Sequence, residues 1–246
     1  MPVSNEEQGT TDRRSEWFVP KHGPPRLRTA VGLLFPPYTG MVISYAVMGS
    51  LLVQSVHWER ILWIAVIYFL GLGIAAHALD ALGSKGTKPW GRAFTRRELV
   101  LAAVSSLVAA YLIAGYYMIA YVPWLSVAAV LEGFFVFAYN LEWFGGRFHR
   151  DGWFGFSWGF LPVLAGCLMQ SNGVSVAAIA VGFAMALFSL VEIKASRPYK
   201  TLKSRNHLLQ ENEKELMRRY EAILKSISMG VLFLCLGVLV FRMTSH

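Results

Sequence analysis

The sequence predicts an all-α polytopic membrane helical bundle with about seven transmembrane helices, and three observations lead there. Of 246 residues, 55% are hydrophobic and only 15% charged. The apolar residues fall in seven blocks, 37–56, 61–80, 99–118, 123–142, 153–170, 174–194 and 226–243. Each is close to the roughly 20 residues that cross a hydrocarbon core of about 30 Å at 1.5 Å rise per residue. The third observation is the placement of basic residues. Lysine and arginine number 5, 1, 5, 0, 2, 0, 9 and 1 in successive segments from the N-terminus, so alternate segments hold 21 and 2. By the positive-inside rule this places the N-terminus in the cytoplasm and the C-terminus outside, in a multi-pass cell-membrane protein. An ordinary soluble domain is excluded. The net charge of +8 is topological and does not imply a nucleic-acid partner.

Residues 1–28 form a polar tail, expected to be disordered or to lie on the membrane surface. Its arginines and lysine leave no apolar stretch for a cleavable signal peptide, so the first span is expected to act as the insertion signal. Residues 29–246 make one membrane domain. Pro36 and Pro37 suit the first turn of a helix, where amides have no intrahelical partner. Thr95, followed three residues later by Glu98, has the pattern of a capping box at the start of the third span. Pro162 is expected to kink the fifth. Cys167 and Cys235 both lie in apolar spans and read as core residues rather than metal ligands or a disulfide. A stretch from Lys203 to Lys225 carries helix-forming residues with Leu208, Leu209, Leu216, Tyr220, Ile223 and Leu224 leaning to one side, the pattern of a helix on the cytoplasmic membrane surface.

Ionisable residues inside or at the ends of spans are costly, and so mark candidate sites. The second span ends on His77 and Asp80, three apart and therefore on one helical face. The loop beyond interleaves glycines with Lys85, Lys88, Arg92, Arg96 and Arg97, a composition that suits a phosphate or diphosphate. The fourth span carries Glu132 near its middle and ends on Tyr139, Asn140 and Glu142. Arg147, His149 and Asp151 follow, beyond Gly145 and Gly146, which break the helix. Glu132 reaches neither surface easily and must face a cavity, pair with a neighbour or be protonated. The sixth span ends on Glu192, with Arg197 and Lys200 after it. Three helix ends on the cytoplasmic side thus each present an acid followed by bases, a layout that would hold a cation between carboxylates and an anion beside it.

In the stretch Ala76-His77-Ala-Leu-Asp80 through Ser84, then Lys88-Pro89-Trp-Gly-Arg92-Ala-Phe-Thr95-Arg-Arg-Glu98, the chain resembles the UbiA-type intramembrane prenyltransferase superfamily. In that family an acidic motif after the second span is followed by a basic, proline-containing loop and a new helix. Ala76, His77 and Ser84 replace an amide and two carboxylates of the family pattern, and the second acidic motif is reduced to Glu192.

The resemblance implies a UbiA-like membrane enzyme acting on an isoprenoid or other lipid, with metal-dependent prenyl transfer from a diphosphate at the cytoplasmic face. Asp80, His77 and Glu142 would be catalytic. Lys88, Arg92, Arg147, Arg197, Lys200, Tyr139 and Asn140 would bind substrate. The metal would be magnesium, held from among His77, Asp80, Glu142, His149 and Glu192. That same mixed set, imidazole with carboxylate, also suits zinc, iron or manganese in a membrane hydrolase or oxidase. A third alternative is a non-catalytic subunit that keeps the fold and binds a membrane-protein partner.

Overall fold

A computed structural model of the chain describes residues 13–83 and 93–245, and among these it contains helices and turns without strands. Six helical segments among the described residues are long and apolar enough to cross a membrane. We name the helices α1 (Pro25–Leu34), α2 (Pro36–Leu51), α3 (Trp58–Gly83), α4 (Arg96–Ala120), α5 (Leu125–Asn140), α6 (Asp151–Ser171), α7 (Val176–Ser204) and α8 (Glu211–Thr244). The first two make one apolar run, Pro25–Leu51. The block expected as a fourth span is α5, whose 16 residues reach only about 24 Å at 1.5 Å each.

The helix boundaries follow local chemistry. At Pro36 the ring excludes the α conformation from the residue before it. Phe35 adopts not the extended conformation usual before proline but φ 44° and ψ 63°, left-handed values that cost a non-glycine residue of order 1–3 kcal/mol. At α4, Thr95 Oγ1 accepts from the Glu98 amide while Glu98 Oε2 accepts from the Thr95 amide at 2.7 Å, the reciprocal capping box. Glu142, Phe144, Gly145 and Gly146 all have positive φ, so the chain reverses tightly after α5. Cys167 and Cys235 are free and buried.

Pro162 has no amide to offer the Trp158 carbonyl, and its ring crowds that carbonyl. The turn before it, Phe156–Phe160, widens into a π-helix, and Ser189 of α7 donates to the Trp158 oxygen at 3.5 Å. A second π segment, Phe69–Ala76, interrupts α3. Such segments shift helical register and occur often at functional sites.

Two expectations change. The helix expected over 203–225 is not a separate element: residues 203–204 end α7, a turn follows, and from Glu211, with neither proline nor glycine before Gly230, the backbone continues as α8 for 34 residues, about 51 Å at 1.5 Å each. The described part of the N-terminal tail is packed, too. Glu16 pairs with Lys203 at 2.8 Å and accepts the Tyr199 hydroxyl at 2.9 Å, Val19 is buried, and Phe18 packs on Phe35 with ring centroids 5.0 Å apart. The aromatic residues of this strap supply what its polar composition conceals.

Lipid tails are as apolar as leucine, so helices in a membrane associate through close packing and polar contacts. Here α2 and α6 meet on glycine. A Cβ on Gly166 would collide with the Ala46 carbonyl, and one on Gly49 with the Val163 carbonyl. Ser50 seals the crossing by donating to Gly166 O at 3.1 Å.

Short connections, 52–57, 121–124 and 172–175, join the helices at one end. Both arginines that depart from the charge alternation work there as carbonyl clamps. Arg60 donates to Met169 O and Gln170 O at the end of α6, and Arg242 donates to Val53 O and Gln54 O. Gln170 braces the same turn, accepting the His57 amide at 2.8 Å and donating to its carbonyl at 3.1 Å.

Gly166→Val is therefore expected to lower stability by at least the roughly 1–3 kcal/mol typical of overpacking, read as a drop in melting temperature in detergent. Gln170→Leu removes both bonds to the His57 backbone and is expected to cost about 1–3 kcal/mol, two bonds of roughly 0.5–1.5 kcal/mol each, read the same way.

Candidate functional site

At the end opposite those short turns, helix termini converge on one cavity of about 190 Å³. Phe35 and Tyr38 at the start of α2, His77 and Asp80 at the end of α3, and Tyr139 and Asn140 at the end of α5 line it. So do Phe154 and Trp158 of α6, together with Glu192, Arg197 and Lys200 of α7. Gly83 helps set this ring, because a Cβ there would strike the Asn140 carbonyl; only a bare backbone lets α3 end against α5. The π segment of α3 contributes as well. Leu72 and His77 both line the cavity, five residues apart, the spacing that one π turn brings into line.

The polar groups are held individually. Thr39 commits its hydroxyl proton to Leu34 O at 2.6 Å, so in its 3.4 Å contact with His77 Nε2 the imidazole is the donor. His149 lies against Tyr139 with ring centroids 4.4 Å apart, and its Nδ1 is 3.0 Å from Tyr139 O. A carbonyl only accepts, so Nδ1 carries a proton, and in a neutral ring Nε2 is the nitrogen that holds the lone pair. Asn140 donates to Val136 O at 2.8 Å. Arg197 pairs with Asp151 at 2.7 Å, a residue outside the cavity lining. Glu192 is 3% exposed. Such depth is sustained for a carboxylate by neighbouring polar groups or cations.

The apolar side is aromatic. Phe154 stacks on Tyr38 at 5.6 Å, and Tyr139 meets Phe154 and Trp158 at 5.7 and 6.1 Å. Phe35, in its left-handed conformation, lies at the rim with the Lys200 ammonium 5.9 Å from its ring centroid. The cavity thus joins acidic, basic and imidazole groups to an aromatic wall, with Glu192 as deeply buried as the rings.

Most residues singled out from the sequence therefore share one cavity: His77, Asp80, Tyr139, Asn140, His149, Glu192, Arg197 and Lys200. Glu142 and Arg147 belong to the reversing turn after α5 and are not among its lining residues. Lys85, Lys88 and Arg92 lie outside the described residues. The proposed five-residue metal set is not assembled as one cluster: among the described residues, no group of three or more His, Cys, Asp or Glu is close enough to hold an ion. The aromatic walls Tyr38 and Phe154 and the rim residue Phe35 escaped sequence reasoning, since aromatic residues at helical spacing are ordinarily core. Only the Phe35-Pro36 junction signals that something unusual stands there.

Glu132 lies apart, near the middle of α5. Its Oε1 accepts the Tyr68 hydroxyl at 2.8 Å, among a second set of lining residues that meets the first at Leu72.

Comparisons of the chain with family models, with curated proteins and with solved structures give no match.

Proposed function

We propose that the chain is a UbiA-like integral membrane enzyme that binds an isoprenoid diphosphate, or a closely similar lipid with an anionic head, and transfers its prenyl group at the cytoplasmic face. The observation that carries this reading is the single cavity in which two carboxylates, two imidazoles and two cations stand over an aromatic interior. The same convergence supports seven crossings with the N-terminus inside. The C-terminal end of α5 meets the C-terminal ends of α3 and α7, as it must if α5 also crosses, and 21 of the 23 basic residues fall in segments on that side.

The donor set fits magnesium better than zinc or iron. Magnesium uses one or two protein carboxylates and completes its shell with water and substrate phosphate; Asp80 and Glu192 are two carboxylates of one cavity. A zinc or iron site needs several protein ligands drawn together, and His77 Nε2 already donates to Thr39. Asp80 and Glu192 would hold magnesium, whose positive charge supplies stabilisation of the leaving diphosphate.

Arg197 and Lys200 bind the diphosphate oxygens, the guanidinium through paired N–H groups and the ammonium as a point charge. Asp151 fixes the Arg197 guanidinium beforehand, so less side-chain freedom is lost on binding. As the allylic carbon–oxygen bond breaks, its electron pair leaves with the diphosphate. The aromatic rings of Tyr38, Tyr139, Phe154 and Trp158 exclude water and stabilise the allylic cation. An electron-rich acceptor then forms the new bond to that carbon and loses a proton. His149 Nε2, the nitrogen left with a lone pair by the bond from Nδ1 to Tyr139 O, takes it up.

The test is binding and turnover of geranylgeranyl diphosphate by the full chain in lipid nanodiscs. Lys200→Ala and Arg197→Ala are each expected to weaken binding about tenfold to a hundredfold, the loss of one charge-assisted contact. Asp80→Asn is expected to abolish magnesium-dependent release of diphosphate while leaving the protein folded. Wild-type protein that neither binds nor turns over the diphosphate would overturn the proposal.

A further inference from the structure

Glu132 has no role in the chemistry above, and its surroundings make that conspicuous. It sits among small and aliphatic residues of α3, α4 and α5 around a pocket of about 70 Å³, separate from the basic cavity except for the shared wall of Leu72. A water needs about 10–15 Å³ of such space, so there is room for several heavy atoms. The walls include Ala110, Ala114 and Ala128, and a Cβ on Gly133 would strike the Tyr111 hydroxyl, which donates to Ala129 O at 2.8 Å. Small residues thus leave the hollow, and Tyr111 is locked across part of its rim. On the same two helices, Leu112 and Val130 are 70% exposed on the protein surface.

Within this apolar setting the carboxyl is only half satisfied. Tyr68 occupies Oε1, and Oε2 is buried without a hydrogen-bond partner among the described residues. An unmade hydrogen bond is costly at this depth in hydrocarbon. Such an atom facing a hollow is recognition chemistry for a donor arriving from the bilayer. A neutral hydroxyl fits best, because it enters hydrocarbon at far lower cost than an ammonium.

We propose that the pocket around Glu132 is a second binding site, for a lipid-soluble alcohol whose hydroxyl donates to Glu132 Oε2 while its apolar body lies between α4 and α5. The site stands independently of diphosphate chemistry at the basic cavity and is tested without any diphosphate present.

The experiment uses the full chain in phosphatidylcholine nanodiscs, a farnesol analogue bearing a diazirine on its chain, and mass spectrometry of the crosslinked peptides. Labelling is expected on α3, α4 and α5 around Glu132. Farnesol is expected to compete about fivefold to tenfold better than farnesyl methyl ether, which has the same chain but no donor. Glu132→Leu is expected to reduce labelling by a similar factor, and Tyr68→Phe, which keeps the carboxyl, to retain it. Equal competition by alcohol and ether in the wild-type protein overturns the proposal whether or not Glu132→Leu folds; so does labelling confined to other helices.

Discussion

The arrangement rests on the near-contact of two backbones. Where α2 crosses α6, Gly49 and Gly166 let carbonyl groups occupy the space that side chains would take, and Ser50 closes the gap with a hydrogen bond. In a medium that offers no hydrophobic drive between helices, this close approach supplies dispersion contact over the whole crossing. It also fixes where the two helices end. The start of α2, with Phe35 and Tyr38, and the start of α6, with Phe154 and Trp158, come to one side of the same cavity. The aromatic interior of the site is thus a consequence of glycines several turns away.

Fold and site were legible in the sequence to different depths. Spans were readable because hydrocarbon imposes a length and excludes charge, and the helix starts at Pro36 and Thr95 were readable because caps are local chemistry. Continuity was harder. Nothing in the charged stretch from Glu211 to Lys225 distinguishes a helix lying on a surface from the projecting half of a long one; what decides is the missing break before Gly230. The strap at residues 13–24 was hidden because its hold on the bundle comes from residues as remote as Phe35 and Lys203.

The site residues from His77 to Lys200 were found by one rule, that ionisable groups at span ends are expensive, and the rule succeeded where helices terminate together. It failed for Glu142, since the positive-φ turn just after α5 separates residues that are close in sequence. Spacing along a helix predicts a shared face only while the helix lasts. It also gave no warning of the π segments, which depend on how a proline or a neighbouring helix is accommodated. Both π segments nevertheless feed the cavity wall, through Leu72 and Trp158.

The two ends of the bundle differ in what they offer to other molecules. At the end clamped by Arg60 and Arg242, the connections 52–57, 121–124 and 172–175 barely clear the helices. An antibody fragment or a protease arriving from that side meets three short turns. At the other end stand the strap and the projecting turns of α8. A binder selected against the folded protein will therefore be drawn to the cavity side, and its attachment there will report on whether the mouth is open.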